Sequence, residues 1–161
     1  MRVHLGSDHA GWELKSLLVE WLVAHGHEPV DHGPERPVPN DDYPVYCVRA
    51  AAGVAADRAA GIEALGVVIG GSGNGEQMSA NKVRGIRAAL AWSEETARLA
   101  REHNDAQVVA IGARMHTTEE ALGFAATFLA TPFSSDPRHA RRIGLLAAYE
   151  ATGELPPLPT D

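Results

Sequence analysis

The chain has 161 residues, of which 45% are hydrophobic, and its formal net charge is −7. This length predicts a single domain, residues 1–161, with a core of ordinary size for a soluble protein. The acidic balance excludes nucleic acid as the main partner, and no apolar stretch is long enough to span a membrane. Cys47 is the only cysteine, which excludes an intrachain disulfide. With no visible signal peptide, the expected location is cytoplasmic.

Strand-like and helix-like segments alternate along the first half of the chain. They are a strand at 2–6, a helix at 11–25, a short strand at 28–31, a Pro-rich loop at 32–42, an Ala-rich helix at 43–59 and a buried strand at 65–69. In the first helix, leucines and Trp21 recur at the spacing of one apolar face, and Gly26 is placed as a C-cap.

The second half continues the alternation. It predicts a helix at 77–82, a strand at 86–91, a helix from Ser93 to about 103, a strand at 107–111, a helix from Thr117 to about 131, a helix from Asp136 to about 152 and a Pro-rich tail at 155–161. Cap residues open the last three helices. This order predicts an α/β fold, a three-layer α/β/α sandwich with a parallel, Rossmann-like sheet.

The loop from Gly70 to Glu76 lies between the third strand and the next helix. Its glycines allow positive φ and close approach of a ligand, and N–H groups at a helix start attract anions. The loop lacks the spacing of a dinucleotide fingerprint and the GK[ST] of a P-loop. It therefore predicts an anion site in which Ser72 supplies a hydroxyl and Glu76 a carboxylate. The alternative is that Glu76 only stabilises the helix start.

Other polar residues follow the ends of the predicted strands, where parallel sheets bind ligands. Asp8 and His9 follow the first strand and Arg114 the fifth. Asp8-His9 is either an acid/base pair or a helix cap. His103 and Asn104 close a helix, where a histidine is either functional or only compatible with the helix dipole.

A basic group lies at the start of the last helix. Arg138 and Arg142 are four residues apart and share one face, with His139 and Arg141 beside them. This group suits a phosphate, although a solvated basic face would have the same pattern. Cys47 is expected in the core, and no cluster has the spacing of a metal site.

Six segments together resemble the ribose-5-phosphate isomerase B family, which includes the galactose-6-phosphate isomerase subunits. They are residues 6–11, 42–44, 70–82, 101–104, 111–114 and 138–142. The resemblance covers almost the whole chain and implies a five-stranded sheet in the order 21354. It implies a homodimer, in some members a tetramer, with sites between subunits and no metal or organic cofactor. In that arrangement, His103, Asn104 and Arg114 reach a site whose other groups come from the neighbouring chain.

The resemblance also implies a reaction, the interconversion of ribose 5-phosphate and ribulose 5-phosphate through a cis-enediol(ate) in the non-oxidative pentose phosphate pathway. Many members carry a cysteine base at the position of Gly70. This chain has no thiol there, a pattern that resembles the actinobacterial-type branch, in which the glutamate, here Glu76, is the base. The helix dipole should lower the pKa of Glu76, so closure over the substrate and desolvation would have to oppose it to make Glu76 a good base.

The other implied roles surround that base. Ser72 assists transfer between O1 and O2, His103 opens the ring, and Asp8 holds sugar hydroxyls. The enediolate is stabilised by the backbone N–H groups of Gly71, Gly73, Asn74 and Gly75. The phosphate is bound by Arg138, Arg142, His9 and Arg114, and the sugar is contacted by Tyr43 and Asn104.

Two alternatives remain open. The substrate could be a hexose 6-phosphate, either allose 6-phosphate or galactose 6-phosphate. The loop at 32–42 and the phosphate-binding arginines would then decide whether the longer sugar fits. The chain could instead be a non-catalytic flavodoxin-like module that binds phosphate or a nucleotide. Such a module would not require Asp8, Glu76 and His103 together.

Overall fold

The structure, a computed structural model, describes residues 1–158. Its elements in chain order are β1 (Arg2–Ser7), α1 (Trp12–Ala24), β2 (Glu28–Asp31), α2 (Tyr43–Ala59), β3 (Ala64–Gly70), α3 (Asn74–Ala80), β4 (Ala88–Ala91), α4 (Glu94–Asn104), β5 (Val108–Gly112), α5 (Thr118–Ala130) and α6 (Pro137–Thr152). Of the predicted tail, residues 155–158 are exposed and lie outside any helix or strand, and residues 159–161 lie outside the described residues.

The five strands form one parallel sheet in the order β2-β1-β3-β5-β4, which confirms the predicted fold class and strand order. The central strand β3 is buried along its whole length, as its continuous apolar run predicts for a strand covered on both faces. Because the strands are parallel, the segments after β1, β3 and β5 meet at one edge of the sheet.

Two apolar cores lie on the two faces of the sheet. One packs α1, α4 and α5 against the sheet through residues such as Leu18, Phe124 and Phe128. The other packs α2 and α3 against the opposite face through smaller residues, with Cys47 and Val54 fully buried. Cys47 is thus a core residue, as predicted.

Two elements begin at least two residues away from the predicted position because turns take over backbone hydrogen bonds. Helix α3 begins at Asn74, since Gly73 adopts a left-handed φ of 82° and its carbonyl accepts from the N–H of Gln77. Strand β4 begins at Ala88, since Ile86 donates back to Val83 in a turn.

Helix α6 packs against α4 and buries only His139 of its 16 residues. Leu145, Leu146 and Tyr149 on this helix are 43%, 60% and 48% exposed. An amphipathic helix normally buries its apolar stripe, so α6 presents an apolar face that its own chain leaves uncovered. Across residues 1–158, no helix combines the length and apolarity needed to cross a membrane.

Candidate active site

A cleft of about 530 Å³ opens at the carboxyl edge of the sheet, above the ends of β1, β3 and β5. It is lined by Asp8, Tyr43, Gly71, Ser72, Gly75, Glu76, Arg114 and Met115. Seven of these residues were predicted site residues, so the strand ends bring together one half of the predicted site.

Glu76 is the buried acid of this cleft, only 3% exposed in the first turn of α3. Burial raises the pKa of its carboxyl, and the negative charge of Asp8 raises it further. The backbone N–H groups of Glu76 and Gly73 act in the opposite direction without reversing the shift. The effect of desolvation on the pKa therefore outweighs the opposing effect of the N–H groups at the helix start. The sequence alone could not decide this balance.

The Glu76 carboxyl fills the space beside Gly70 that a side chain there would occupy. A Cβ built on Gly70 would lie 1.8 Å from Oε1 and 2.2 Å from Cδ of Glu76. No larger residue fits at position 70 while Glu76 keeps this position. A carboxyl thus lies directly after β3, where the family resemblance implies a reactive side chain.

The glycines of the loop bring the backbone close to two polar side chains. A Cβ on Gly75 would lie 2.4 Å from the ring of Tyr43, so Tyr43 packs on the bare backbone. Arg114 lies over Gly71, with Nη1 3.6 Å from the site of a Cβ, and its N–H donates to the Gly71 carbonyl at 3.1 Å. Ser72 is exposed and receives only long bonds of 3.4 Å from Asn74.

Asp8 and His9 lie in the turn between β1 and α1. Asp8 is buried, and its Oδ1 accepts from the N–H groups of Ala10 and Gly11 at 2.9 and 3.2 Å. Asp8 therefore holds the turn and also lines the cleft, but it is not the predicted helix cap, because the N-cap of α1 is Gly11. His9 is held by Asp41, whose Oδ1 lies 2.8 Å from both its N and its Nδ1.

Within residues 1–158, one group of three side chains is close enough to hold a metal ion, namely Asp8, His9 and Asp41, with ligand atoms within 4.8 Å of one another. Their hydrogen bonds are made among themselves and with the adjacent backbone, since His9 Nδ1 bonds Asp41 and Asp8 Oδ1 bonds the turn. The geometry is that of a hydrogen-bonded cluster.

The other predicted site residues form a second group where α4 ends and α6 begins. The rings of His103 and His139 lie 4.2 Å apart, and His139 Nδ1 is 2.9 Å from Ser134 Oγ. Arg138 Nη2 lies 3.2 Å from His139 Nε2. Burial, followed by the positive charges of His103 and Arg138, lowers the pKa of His139. Burial and the neighbouring cations thus both disfavour protonation of His139, which lies beside the exposed Arg138.

The two groups lie at opposite edges of the sheet. Helix α4 runs back from the carboxyl end of β4, so Asn104 lies near the amino ends of the strands, where its carbonyl accepts from Arg87 at 2.7 Å. A groove of about 580 Å³ extends along β4 between the groups and is lined by Asn74 near one end and Asn104 near the other. One chain thus holds the two halves of the predicted site apart.

Within one chain, Arg114 lies apart from His103 and Asn104, the residues with which the resemblance grouped it. Strand β5 pairs directly with β3, so the residue that follows β5 is carried to the glycine loop of the same chain. Arg114 consequently lines the cleft with Glu76. The position of Arg114 follows from the strand order. In the sequence analysis, that order came from the family resemblance and not from the residues themselves.

Sequence reasoning missed Asp41, which lies in the Pro-rich loop and reaches His9 from 32 residues away. The available pattern was the pair Asp41-Asp42 directly before Tyr43. Asp42 begins one of the six segments that resemble the family, whereas Asp41 lies outside it. That pattern does not distinguish the acid that faces His9 from the exposed acid beside it.

Comparison with known proteins gives a consistent result. A sequence model of the Ribose/Galactose Isomerase family matches residues 3–146. Ribose-5-phosphate isomerase B of Mycobacterium tuberculosis is 56% identical over 159 residues, covering 99% of this chain and 96% of that protein. The probable ribose-5-phosphate isomerase B of Mycoplasma pneumoniae is 39% identical over 92% of this chain and 94% of its own length.

Solved structures agree with this sequence similarity. Ribose-5-phosphate isomerase B from Mycoplasma genitalium, crystallised with bound ribulose-5-phosphate, superposes with a TM-score of 0.87 at 37% identity. That match covers 94% of this chain and 97% of the other. The type B enzyme from Trypanosoma cruzi gives a TM-score of 0.86 at 38% identity, covering 94% of this chain and 99% of that one.

Proposed function

Because the chain belongs to the ribose/galactose isomerase family, we propose that it interconverts D-ribose 5-phosphate and D-ribulose 5-phosphate. The relatives named for this reaction cover nearly the full chain, and one related structure holds ribulose-5-phosphate. The observation that carries the proposal is the buried Glu76 carboxyl, placed against Gly70 in a cleft lined by glycine backbone.

Glu76 is the proposed base. Isomerisation removes the proton from C2 of the open-chain aldose and returns a proton to C1, with a cis-enediolate between the two steps. A carboxylate whose pKa is raised by burial is a stronger base than a solvated one, which suits it to accept the carbon-bound proton. One group above both carbons performs both transfers.

The glycine loop is the proposed enediolate site. The first N–H groups of α3 have no carbonyl partner within their own helix, so they are available to a negative oxygen. We assign this role to the amides of Gly71, Asn74 and Gly75, with the exposed Ser72 hydroxyl moving the proton between O1 and O2. The Gly73 amide is directed at the Glu76 carboxylate, so its proposed role is to hold the base.

Asp8 and Tyr43 are the proposed sugar contacts from the same chain, because both line the cleft beside Glu76. Arg114 lies over Gly71 in the same cleft, where its guanidinium can reach an anionic substituent. His9 would bind the phosphate from the turn after β1.

The remaining groups are proposed to come from a second copy of the chain. His103 as ring-opening acid, Asn104 as sugar ligand, and Arg138 and Arg142 as phosphate ligands lie at the far edge of the sheet from Glu76. A second subunit completes the cleft only if its α4–α6 region is placed over it. The uncovered apolar face of α6 supplies a surface for this contact.

We therefore propose a homodimer with two shared active sites, each built from the glycine loop of one chain and the α4–α6 group of its partner. Three further apolar side chains, Met78, Trp92 and Met115, are each 63–64% exposed and add to the surface available for a subunit contact. A single domain spanning the chain and a cytoplasmic location complete the proposal, since a sugar-phosphate isomerase works where its metabolites are.

A substrate panel tests the reaction. The purified protein is assayed with ribose 5-phosphate, ribulose 5-phosphate, allose 6-phosphate and galactose 6-phosphate. We expect the pentose phosphates to give the highest kcat/KM. Faster turnover of a hexose phosphate would identify a different substrate, and ATP binding without turnover would identify a non-catalytic module.

Mixed dimers test the shared site. Glu76→Gln and His103→Ala homodimers should each be nearly inactive. Random reassociation of the two variants makes about half the dimers mixed, and each mixed dimer has one intact site, so about a quarter of wild-type activity should return. No recovery, with mixed dimers shown by mass spectrometry, would contradict the shared site.

A further inference from the structure

The loop between β2 and α2 contributes one buried side chain to the turn that follows β1. Asp41, near the end of this loop, has a side chain only 5% exposed. Its Oδ1 is 2.8 Å from the backbone N of His9 and 2.8 Å from His9 Nδ1. One carboxylate oxygen thus accepts two N–H groups of the same residue and fixes both its backbone and its ring.

This bond sets the protonation pattern of the His9 ring. A neutral imidazole carries one proton, on either Nδ1 or Nε2, and the partner of one nitrogen decides which. Asp41 is an acceptor only, because the His9 donors outweigh the effect of burial and hold the pKa of its carboxyl below the usual value. The proton is therefore placed on Nδ1, and Nε2 is the nitrogen left for a ligand.

The other groups near the His9 ring do not compete for Nδ1. Asp8 Oδ2 lies 4.0 Å from Nδ1, beyond hydrogen-bond distance, and Asp8 Oδ1 is used by the turn amides. The His9 side chain remains 33% exposed. Among residues 1–158, Asp41 is therefore the hydrogen-bond partner of the His9 ring, and about a third of the His9 side chain remains accessible.

A second donor faces the Asp41 carboxyl from α2. The Tyr46 side chain hydrogen-bonds Asp41 and, after the two His9 N–H groups, helps to lower the pKa of this carboxyl against the opposing effect of burial. Donors on both sides therefore favour the ionised carboxylate, which accepts from His9.

The loop that carries Asp41 is anchored at its other end by a buried charge. Lys15 on α1 is 1% exposed, and its Nζ lies 2.6 Å from Asp31 Oδ1 and 2.9 Å from the carbonyl of Pro34. These bonds fix the entry of the loop next to the sheet. Asp41 is thus presented to His9 by an anchored segment.

We propose that Asp41 is a positioning residue that holds His9 as the Nδ1-protonated tautomer, with its Nε2 edge presented to the sugar phosphate. Asp41 acts through His9 and does not itself touch the substrate. The functional half of this inference rests on the proposed phosphate-binding role of His9. The tautomer half depends only on the geometry of the free protein.

The test compares Asp41→Ala, Asp41→Asn and Glu35→Gln. Glu35 is exposed on the same loop, so its variant removes a charge without touching His9. Asparagine keeps the volume of Asp41 and an oxygen that can accept the Nδ1 proton. Thermal unfolding first establishes that all three variants fold.

Nitrogen-15 NMR of the His9 ring measures the tautomer directly, with no substrate present. We expect Nδ1 to be the protonated nitrogen in wild type, Glu35→Gln and Asp41→Asn. In Asp41→Ala the proton should move predominantly to Nε2. An unchanged tautomer in Asp41→Ala would overturn the inference, whatever reaction the protein catalyses.

Kinetics with ribose 5-phosphate and titration with inorganic phosphate measure the consequence. Asp41→Ala should raise KM and the phosphate Kd about 10-fold, with kcat changed less than about 3-fold. Asp41→Asn should restore both constants to within about 3-fold of wild type. A changed tautomer with unchanged KM and phosphate Kd would overturn the positioning role. The phosphate titration gives this result even if ribose 5-phosphate is not the substrate.

Discussion

One methyl group added at Gly70 should disable the base without removing it. A Cβ at this position would lie 1.8 Å from Glu76 Oε1, whereas ordinary contact begins at 3.4 Å. In Gly70→Ala the carboxyl must therefore retreat by about 1.6 Å. A misplacement of about 1 Å at a reacting group can cost roughly 100-fold in rate. We expect kcat to fall by about 100- to 1,000-fold.

The accompanying loss of stability should be modest. Overpacking of this kind typically costs about 1–3 kcal/mol, and Gly70 does not have the positive φ that would add backbone strain. Steady-state kinetics with ribose 5-phosphate and urea unfolding separate the two effects. The control is Gly123→Ala on α5, whose new methyl would approach only Glu94 Oε1, at 3.2 Å.

A compensating pair sharpens this experiment. Gly70→Cys combined with Glu76→Ala exchanges the carboxyl for a thiol in nearly the same space, so its turnover should exceed that of Glu76→Ala alone. Near-normal kcat in Gly70→Ala would show that the Glu76 position does not matter to the reaction, and would refute the steric reasoning.

Three further predictions concern charge. Because the folded state raises the pKa of Glu76, the contribution of this carboxyl to stability is fully present below its ordinary pKa and is lost as pH rises through the folded value. Glu76→Gln should therefore melt higher than wild type at pH 7, with the difference shrinking in acid, and a difference independent of pH would contradict this sign. Arg142→Ala should raise KM for ribose 5-phosphate about 10-fold with a smaller effect on kcat, because the phosphate loses a charged ligand. The control Arg141→Ala should leave KM unchanged. Equal effects of the two variants would place the phosphate elsewhere. Lys15→Met should lower the free energy of unfolding in urea by about 2–3 kcal/mol. The loss is smaller than for a fully buried ion pair because Asp31 is 40% exposed and can rehydrate. An unchanged free energy of unfolding would show that the Lys15–Asp31 pair does not anchor the loop.

The fold was predictable because its pattern is repeated in every element. The continuous apolar run at 65–69 and the cap residues Ser93 and Thr117 each specify local structure, and both caps form the bonds that their sequences predict. The start of α3 was missed because it depends on the left-handed Gly73, whose conformation a sequence permits but does not require.

The site was predictable only in part, since its geometry depends on long-range placement. Glu76 and Asp8 were identified because they follow strand ends that must meet. The group that Arg114 joins depends on β5 lying beside β3, and the contact of Asp41 with His9 depends on the path of a loop. The sign of the Glu76 pKa shift depends on burial, which cannot be read from neighbouring residues in the chain.

Deuterium exchange tests the central claim, that Glu76 moves the proton between C1 and C2. Ribulose 5-phosphate is incubated in ²H₂O with wild type or Glu76→Gln, and NMR follows the loss of the C1 proton, while calorimetry verifies that both proteins bind the sugar phosphate. We predict exchange in wild type and exchange at least 100-fold slower in Glu76→Gln, with similar binding. Exchange at the wild-type rate in Glu76→Gln would contradict the account.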